Sequence, residues 1–136
     1  MIQVILGKKG SGKTKRLIDL TNDALKVEHG YVVFIDDDKR YMYDLRHEIR
    51  FVDASEYDVN NVDRFYGLLT GMLSVNFDIT LVVVDAFLKM TGKQPEELQW
   101  LFEKLEKLSE AHNVNFVFSI SGDPAEIPEF ITRYAI

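Results

Sequence analysis

The 136-residue chain contains 46 % hydrophobic and 28 % charged residues, carries a formal net charge of −6 and has no cysteine. This length suits one hydrophobic core, and we expect a single domain over residues 1–136. The acidic balance argues against non-specific binding to nucleic acid or to an anionic membrane, and the lack of cysteine excludes disulfides and thiolate metal sites.

In the first half of the chain, apolar runs alternate with helical or polar segments. Residues 2–6 form a short run rich in branched side chains, which predicts a buried strand. From Lys13 the apolar side chains recur at helical spacing, and the predicted helix ends before Gly30. Further predicted elements are a strand over 31–35, a helix over 39–48 and a short strand over 50–54.

The second half of the chain shows the same alternation. Residues 62–73 have the i, i+3, i+4, i+7 spacing of an amphipathic helix. Residues 79–84 are a continuous branched run, which predicts a strand that ends at Asp85. Pro95 favours the start of a helix with its apolar face between residues 98 and 108. A strand over 114–120 and a short acidic helix over 125–134 complete the prediction.

The predicted strands lack the polar alternation of a half-exposed sheet, which indicates strands covered on both faces. We therefore expect an α/β fold, a three-layer sandwich with a mostly parallel sheet of about five strands and helices on both faces. No apolar run approaches the ~18 residues of a membrane span, and the first residues lack the basic region of a signal peptide. A cytoplasmic protein is expected.

Residues 7–14 read GKKGSGKT, which matches the phosphate-binding pattern G-x-x-x-x-G-K-[ST] between a predicted strand and a predicted helix. Glycines there allow backbone N–H groups to converge on an anion at the positive end of a helix. Lys13 is then expected to contact the β- and γ-phosphates, and Thr14 to offer its hydroxyl to magnesium. The candidate phosphate-binding residues are Gly7, Lys8, Lys9, Gly10, Ser11, Gly12, Lys13 and Thr14. A glycine-rich turn with solvated lysines is the alternative.

This loop and its context resemble the P-loop NTPase superfamily, in particular its RecA-like (additional-strand) division. The resemblance implies the compact P-loop NTPase fold, ATP and Mg2+ as ligands, and an acidic residue at the end of a hydrophobic strand that orients the metal. Asp85, which closes ITLVVVD, is that residue here. The next strand is implied to lie beside the strand that leads into the loop. The chain also resembles small bacterial proteins labelled as relatives of the twitching-motility (PilT-like) ATPases, although its three histidines match no motif of those motors.

Many RecA-like ATPases place a glutamate directly after the metal-binding aspartate, whereas this chain has Ala86. In other members a general base lies at the end of the second strand, where Asp36, Asp37 and Asp38 follow one another. The candidate catalytic residues are therefore Lys13, Asp36, Asp37 and Asp38. The alternative is that the aspartates cap the segment that follows.

Ser119 and Ser121 lie at the end of the predicted strand over 114–120. In the RecA-like division a small polar residue at this position senses the γ-phosphate, so Ser119 is a candidate nucleotide contact, with a turn role as the alternative. Arg46 and Arg50 are candidates for phosphate contacts or exposed charges. The usual further strand of the fold is not expected.

Two features suggest contacts outside the phosphate loop. The stretch DKRYMYDLRHEIR, residues 38–50, interleaves Tyr41, Tyr43 and His47 with arginines. Aromatic side chains among cations stack on bases or hold partners, and the alternative is a helix with one core face. Trp100 falls on the opposite helix face from Leu101, which suggests a protein partner or homo-oligomer contact, or a surface tryptophan.

These features favour an ATP-binding, Mg-dependent NTPase with slow or partner-stimulated hydrolysis. A nucleotide-gated protein-binding module without hydrolysis is one alternative, because the glutamate after Asp85 is missing. A small-molecule or nucleoside kinase is another, although between Asp85 and Pro95 the chain offers only Lys89 and Lys93 in place of the arginines of a lid. The net charge does not support nucleic acid as a partner.

Overall fold

The computed structural model describes all residues from 1 to 136. The strands of its one sheet are β1 (Ile2–Gly7), β2 (Tyr31–Asp36), β3 (Arg50–Asp53), β4 (Ile79–Val84) and β5 (Asn115–Ser121). The helices are α1 (Lys13–Ala24), α2 (Val62–Val75), α3 (Phe87–Thr91), α4 (Gln99–His112) and α5 (Glu129–Thr132), with 3-10 turns at Met42–Asp44, Ala54–Tyr57 and Pro95–Glu97. No helix combines the length and the apolar character that a membrane crossing requires.

The five strands lie in the order β1-β5-β4-β2-β3, and every neighbouring pair is parallel. The predicted α/β class is confirmed, as is the position of β5 directly beside β1. Because all strands point the same way, their carboxyl ends share one edge of the sheet. Ligands of open α/β sheets bind at that edge.

Both faces of the sheet are apolar because successive strand residues point to opposite sides. On β2, Val33 and Ile35 pack into the larger core with α2, α3 and α4, whereas Val32 and Phe34 pack against α1 on the other face. The inner strands β2, β4 and β5 are buried on both sides, which explains their long apolar runs.

Residues 134–136 extend the sheet beyond β1. The Val4 N–H donates to the Tyr134 carbonyl (2.9 Å), and the Ile136 N–H donates to the Val4 carbonyl (3.0 Å). Val4 and Ala135 thereby form an isolated parallel bridge. The expectation that no further strand follows β5 is therefore wrong in part, since a short pairing occupies that position. The helix predicted over 125–134 is reduced to the four residues of α5.

Residues 39–48 do not form the predicted helix. They contain one 3-10 turn, Met42–Asp44, after which Leu45 and Ile49 bury their side chains against the α1 face of the sheet. Asn22 of α1 donates to the Asp44 carbonyl (3.0 Å) and accepts from the Arg46 N–H (2.9 Å). These tertiary hydrogen bonds satisfy backbone groups that a helix would pair internally.

Candidate functional site

A cleft of about 1190 Å³ opens at the carboxyl edge of the sheet. The loop after β1, Asp36 at the end of β2, Asp85 after β4 and Ser119 on β5 all contribute to its lining. These groups are far apart in sequence, and the order β1-β5-β4-β2 brings them together. The predicted phosphate loop, metal residues and candidate bases therefore surround one cleft.

Glycine is required at three positions of the loop for two different reasons. Gly10 and Gly12 have φ angles of 82° and 88°, in the left-handed region that other residues rarely adopt. At Gly7 an added Cβ would collide with the Ser11 hydroxyl. The loop conformation thus depends on Gly10 and Gly12, and a side chain at position 7 would require Ser11 to move.

The loop presents backbone N–H donors to the cleft, together with Lys13, whose side chain bends back onto the loop. The N–H groups of residues 12–15 have no acceptor within the protein, and they lie at the positive start of α1, where an anion is favoured. Lys13 Nζ donates to the Lys8 carbonyl (3.0 Å). Burial lowers the pKa of Lys13, and the charge of Asp85 partly offsets this effect.

Asp85 joins the loop to the neighbouring strand. The Thr14 hydroxyl donates to Asp85 Oδ2 (2.8 Å), and the Ser119 hydroxyl donates to Asp85 Oδ1 (2.5 Å). The Ala86 N–H donates to the same Oδ1 at 3.0 Å. Three donors fix this buried carboxylate, so the predicted metal residues Thr14 and Asp85 are in direct contact. Ser119 contacts the carboxylate as well as the cleft.

The residue after Asp85 adopts a backbone conformation that is costly for alanine. Ala86 has φ 58° and ψ 38°, and an L-residue in this left-handed region loses about 1–2 kcal/mol relative to a right-handed one. The turn redirects the chain from β4 into α3, whose first residue Phe87 is fully buried. Strained backbone of this kind concentrates at functional sites.

Asp36 is the most buried of the three consecutive aspartates, with 3 % of its surface exposed. It accepts a hydrogen bond from the Asp37 N–H (2.7 Å). Burial is the main factor that raises the pKa of Asp36 to about 8, and the carboxylates of Asp37 and Asp85 contribute in the same direction. At neutral pH this carboxyl group is therefore mostly protonated.

Asp37 and Asp38 are each paired with a cation. Lys89 of α3 contacts Asp37 at 2.6 Å, and Arg40 contacts Asp38 at 3.5 Å. Burial acts to raise the pKa of Asp37, but the hydrogen bond and charge of Lys89 outweigh burial and hold that pKa below its usual range. Asp38 also accepts from the Arg40 N–H (2.8 Å), but it caps no helix, because the 3-10 turn that follows starts only at Met42.

Several predicted contacts lie outside the cleft lining. Gly7, Lys8 and Ser11 shape the loop without lining the cleft, whereas Lys9 and Ser121 line it. Neither Arg46 nor Arg50 reaches the cleft, and Arg50 lies over the Tyr31 ring (4.4 Å) at the opposite edge of the sheet. Arg46 and Arg50 are therefore not phosphate contacts in this structure.

Sequence reasoning missed part of the cleft. Its lining also includes residues of α1 and of the segment after β2, among them Lys15, Ile18, Asp19, Asn22, Arg40, Tyr41 and Asp44. The interleaved aromatic and basic stretch was the sequence signal for Arg40, Tyr41 and Asp44. The helical spacing of 15, 18, 19 and 22 was also visible, but their proximity to residues 40–44 was not.

The oxygens beside the loop suit magnesium. Thr14 offers a hydroxyl and Asp85 a carboxylate, hard ligands of the kind that Mg2+ prefers. The ligand atoms of Asp36, Asp37 and Asp38 lie within 4.8 Å of one another, yet the latter two are neutralised by cations. Thr14 and Asp85, with Asp36 beside them, are the better site.

Trp100 lies away from the cleft and has 49 % of its surface exposed. Its ring contacts Tyr66 of α2 edge-on, with centroids 6.0 Å apart, and Lys104 Nζ lies 5.6 Å from its centroid. The predicted outward position of the side chain is confirmed.

The cleft therefore combines a glycine loop with unpaired N–H donors, a fixed carboxylate with hydroxyl neighbours, and a buried acid with a perturbed pKa. No family model matches the chain, and no curated protein is significantly similar to it.

Proposed function

We propose that the protein binds ATP with Mg2+ as a P-loop NTPase of the RecA-like division, and that it hydrolyses the nucleotide slowly or when a partner stimulates it. The observation that carries the proposal is the hydrogen bond between Thr14 and Asp85. It joins the two motifs that the resemblance implies, across 71 positions of sequence. The single strand between β1 and β4 supports the same division.

The loop supplies the groups that a triphosphate needs. Unpaired N–H donors of residues 12–15 and the ammonium of Lys13 would bind the phosphate oxygens and stabilise charge on the transferred group. Magnesium held by Thr14 and Asp85 would add positive charge at those oxygens. Ser119 keeps Asp85 oriented toward Thr14 through its own hydrogen bond.

Asp36 is the candidate general base. Its pKa of about 8 makes its carboxylate form a stronger base toward water than that of an ordinary aspartate, and this form predominates above about pH 8. Asp37 and Asp38 form ion pairs with Lys89 and Arg40, so both are weaker candidates than Asp36 for accepting a proton from water. Because residue 86 is alanine, no acid follows Asp85, and an acid on β2 is required instead.

A single-turnover experiment tests this function. Excess protein is incubated with γ-labelled ATP and magnesium for hours, and labelled phosphate is separated from ATP. We expect free phosphate from the wild type and from Lys26→Ala, a control at an exposed lysine outside the cleft. Lys13→Ala should lose both ATP binding and phosphate release, whereas Asp36→Asn should lose release alone. Wild type that binds no ATP would refute the proposal.

A nucleotide-gated binding module is the second candidate, and two observations favour it. The residue after Asp85 is not an acid, and Trp100 is half exposed beside Tyr66. In this case labelled ATP would stay intact on the wild type. Trp100→Ala would then leave ATP affinity unchanged and abolish association with the partner or with a second copy, which sedimentation with and without ATP would detect. Loss of ATP affinity in Trp100→Ala would exclude this assignment.

A further inference from the structure

The cleft is larger than a phosphate site, and the excess has a defined position. Beyond the loop it continues along one face of α1, over Lys15, Ile18 and Asn22. The path from Lys13 to Asn22 is about 13 Å at the rise of an α-helix, long enough for a nucleoside. We call this part the side compartment, lined by Ile18, Asp19, Asn22, Arg40, Tyr41 and Asp44.

The two walls of the side compartment are fixed to each other. The Asn22 amide donates to the Asp44 carbonyl and accepts from the Arg46 N–H, at 3.0 and 2.9 Å. Leu45, between those backbone partners, is buried in the core on the α1 face of the sheet. The segment 40–46 is therefore held against α1 by both its backbone and its apolar side chain.

Tyr41 gives the side compartment an aromatic surface. Its ring is partly buried against the α1 face of the core, and Arg40 lies 5.7 Å from the ring centroid. Tyr43, two residues later, has 89 % of its surface exposed and does not line the cleft. Aromatic and guanidinium groups stack on nucleobases irrespective of base identity.

The charge of the side compartment favours a donor group on the ligand. Lys15 pairs with Asp19 at 2.8 Å, and Arg40 pairs with Asp38 at 3.5 Å. Asp44 offers only its backbone carbonyl to Asn22, and its carboxylate has no hydrogen-bond or ion-pair partner. A free carboxylate in the side compartment repels a phosphate group there and accepts a hydrogen bond from an amino group.

We infer that the side compartment holds the nucleoside end of the triphosphate, with the base on Tyr41 and an exocyclic amino group donating to Asp44, as adenine can. This inference rests on the proposed function, since the loop must first bind the phosphates. Asp44 is thereby the residue that selects an amino-bearing base, whereas Tyr41 supplies affinity for the nucleoside whatever its base.

Calorimetric titration with three magnesium-complexed probes separates the inference from the proposed function. The probes are ATP, purine riboside triphosphate, which lacks the amino group, and inorganic tripolyphosphate. We expect wild type to bind ATP at least about tenfold more tightly than either other probe. Tyr41→Ala should weaken ATP binding about tenfold and leave tripolyphosphate binding unchanged. Asp44→Ala should bind ATP and purine riboside triphosphate equally.

Tyr43→Ala is the matched control, because it removes a neighbouring tyrosine that does not line the cleft. Tyr41→Phe retains the ring and should keep wild-type affinity, which separates stacking from any loss of folding in Tyr41→Ala. Equal wild-type affinity for ATP and tripolyphosphate would overturn the inference while leaving the loop function intact. Wild type that binds neither probe would overturn both.

Discussion

Lys89 Nζ lies 2.6 Å from Asp37 Oδ2, so that α3, which follows Asp85, is joined to the segment that follows Asp36. The carboxylate of Asp37 is only one-fifth exposed, whereas the lysine side chain is 76 % exposed. The ion pair therefore connects the two acidic strand ends of the cleft. It also neutralises a carboxylate that burial alone would tend to protonate.

Lys89→Met should raise the pKa of Asp37, because burial would then act without the opposing cation. The pKa is measured by a carboxyl carbon NMR titration of both proteins. Stability should fall by about 1 kcal/mol or less, since the pair is largely solvated. Lys93→Met, which removes an exposed partner of Glu97, is the matched control and should leave Asp37 unchanged. An unaltered Asp37 titration in Lys89→Met would contradict the assigned pairing.

Asp36 should make the protein less stable as pH rises. Its pKa is raised from 3.8 to about 8 in the folded state, so between these values the folded chain retains a proton that the unfolded chain has lost. The stabilising contribution is complete below about pH 4, declines toward pH 8 and is absent above it. Asp36→Asn should remove this decline, and urea unfolding at several pH values measures it without magnesium. Parallel curves for the two proteins between pH 5 and 8 would be inconsistent with the burial of this carboxyl group.

Asp85→Asn should abolish the effect of magnesium on ATP binding. The amide keeps a partner for Thr14 but lacks the charge that would hold the proposed metal, and a loss of at least about tenfold in metal-dependent affinity is expected. Titrations with magnesium and with a chelator measure the difference. Asp53→Asn changes another buried strand-end aspartate that does not line the cleft, and it should retain the magnesium effect. A magnesium effect that survives in Asp85→Asn would assign the metal elsewhere.

Ala86→Gly should stabilise the fold by about 0.5–1 kcal/mol, because glycine adopts the left-handed conformation without the steric cost of Cβ. The free energy of unfolding in urea measures the gain. Asn113→Gly is the control at a second left-handed residue, with φ 52°, and should gain less because asparagine tolerates this region. A destabilised Ala86→Gly protein would mean that the methyl group contributes packing that outweighs the strain.

The sequence was sufficient to predict the strands and the long helices, because the central strands β2 and β4 are apolar runs rich in branched residues and buried on both faces. It failed at residues 39–48, where Leu45 and Ile49 follow the surface of the sheet and Asn22 supplies hydrogen bonds from α1. That amide is more than 20 positions away in sequence, so no local pattern could indicate it.

The proximity of Thr14 and Asp85 was expected, because the resemblance assigns both residues to one metal, whereas their direct hydrogen bond and the environment of the other aspartates were not. Asp36, Asp37 and Asp38 are consecutive, and only the structure separates a buried acid from two paired ones. The side compartment was missed for the same reason. Its walls come from α1 and from residues 40–44, and their proximity depends on tertiary packing.

The pairing of residues 134–136 with Val4 also covers the outer edge of β1, where another chain could otherwise add a strand. An uncovered parallel strand offers free N–H and carbonyl groups to any extended chain. Here that pairing protects the outer side of apolar β1. The opposite border of the sheet is β3, which is only four residues long and has charged residues, Arg50 and Asp53, at its two ends. Removal of residues 134–136 would turn the strand that carries the phosphate loop into a template for aggregation.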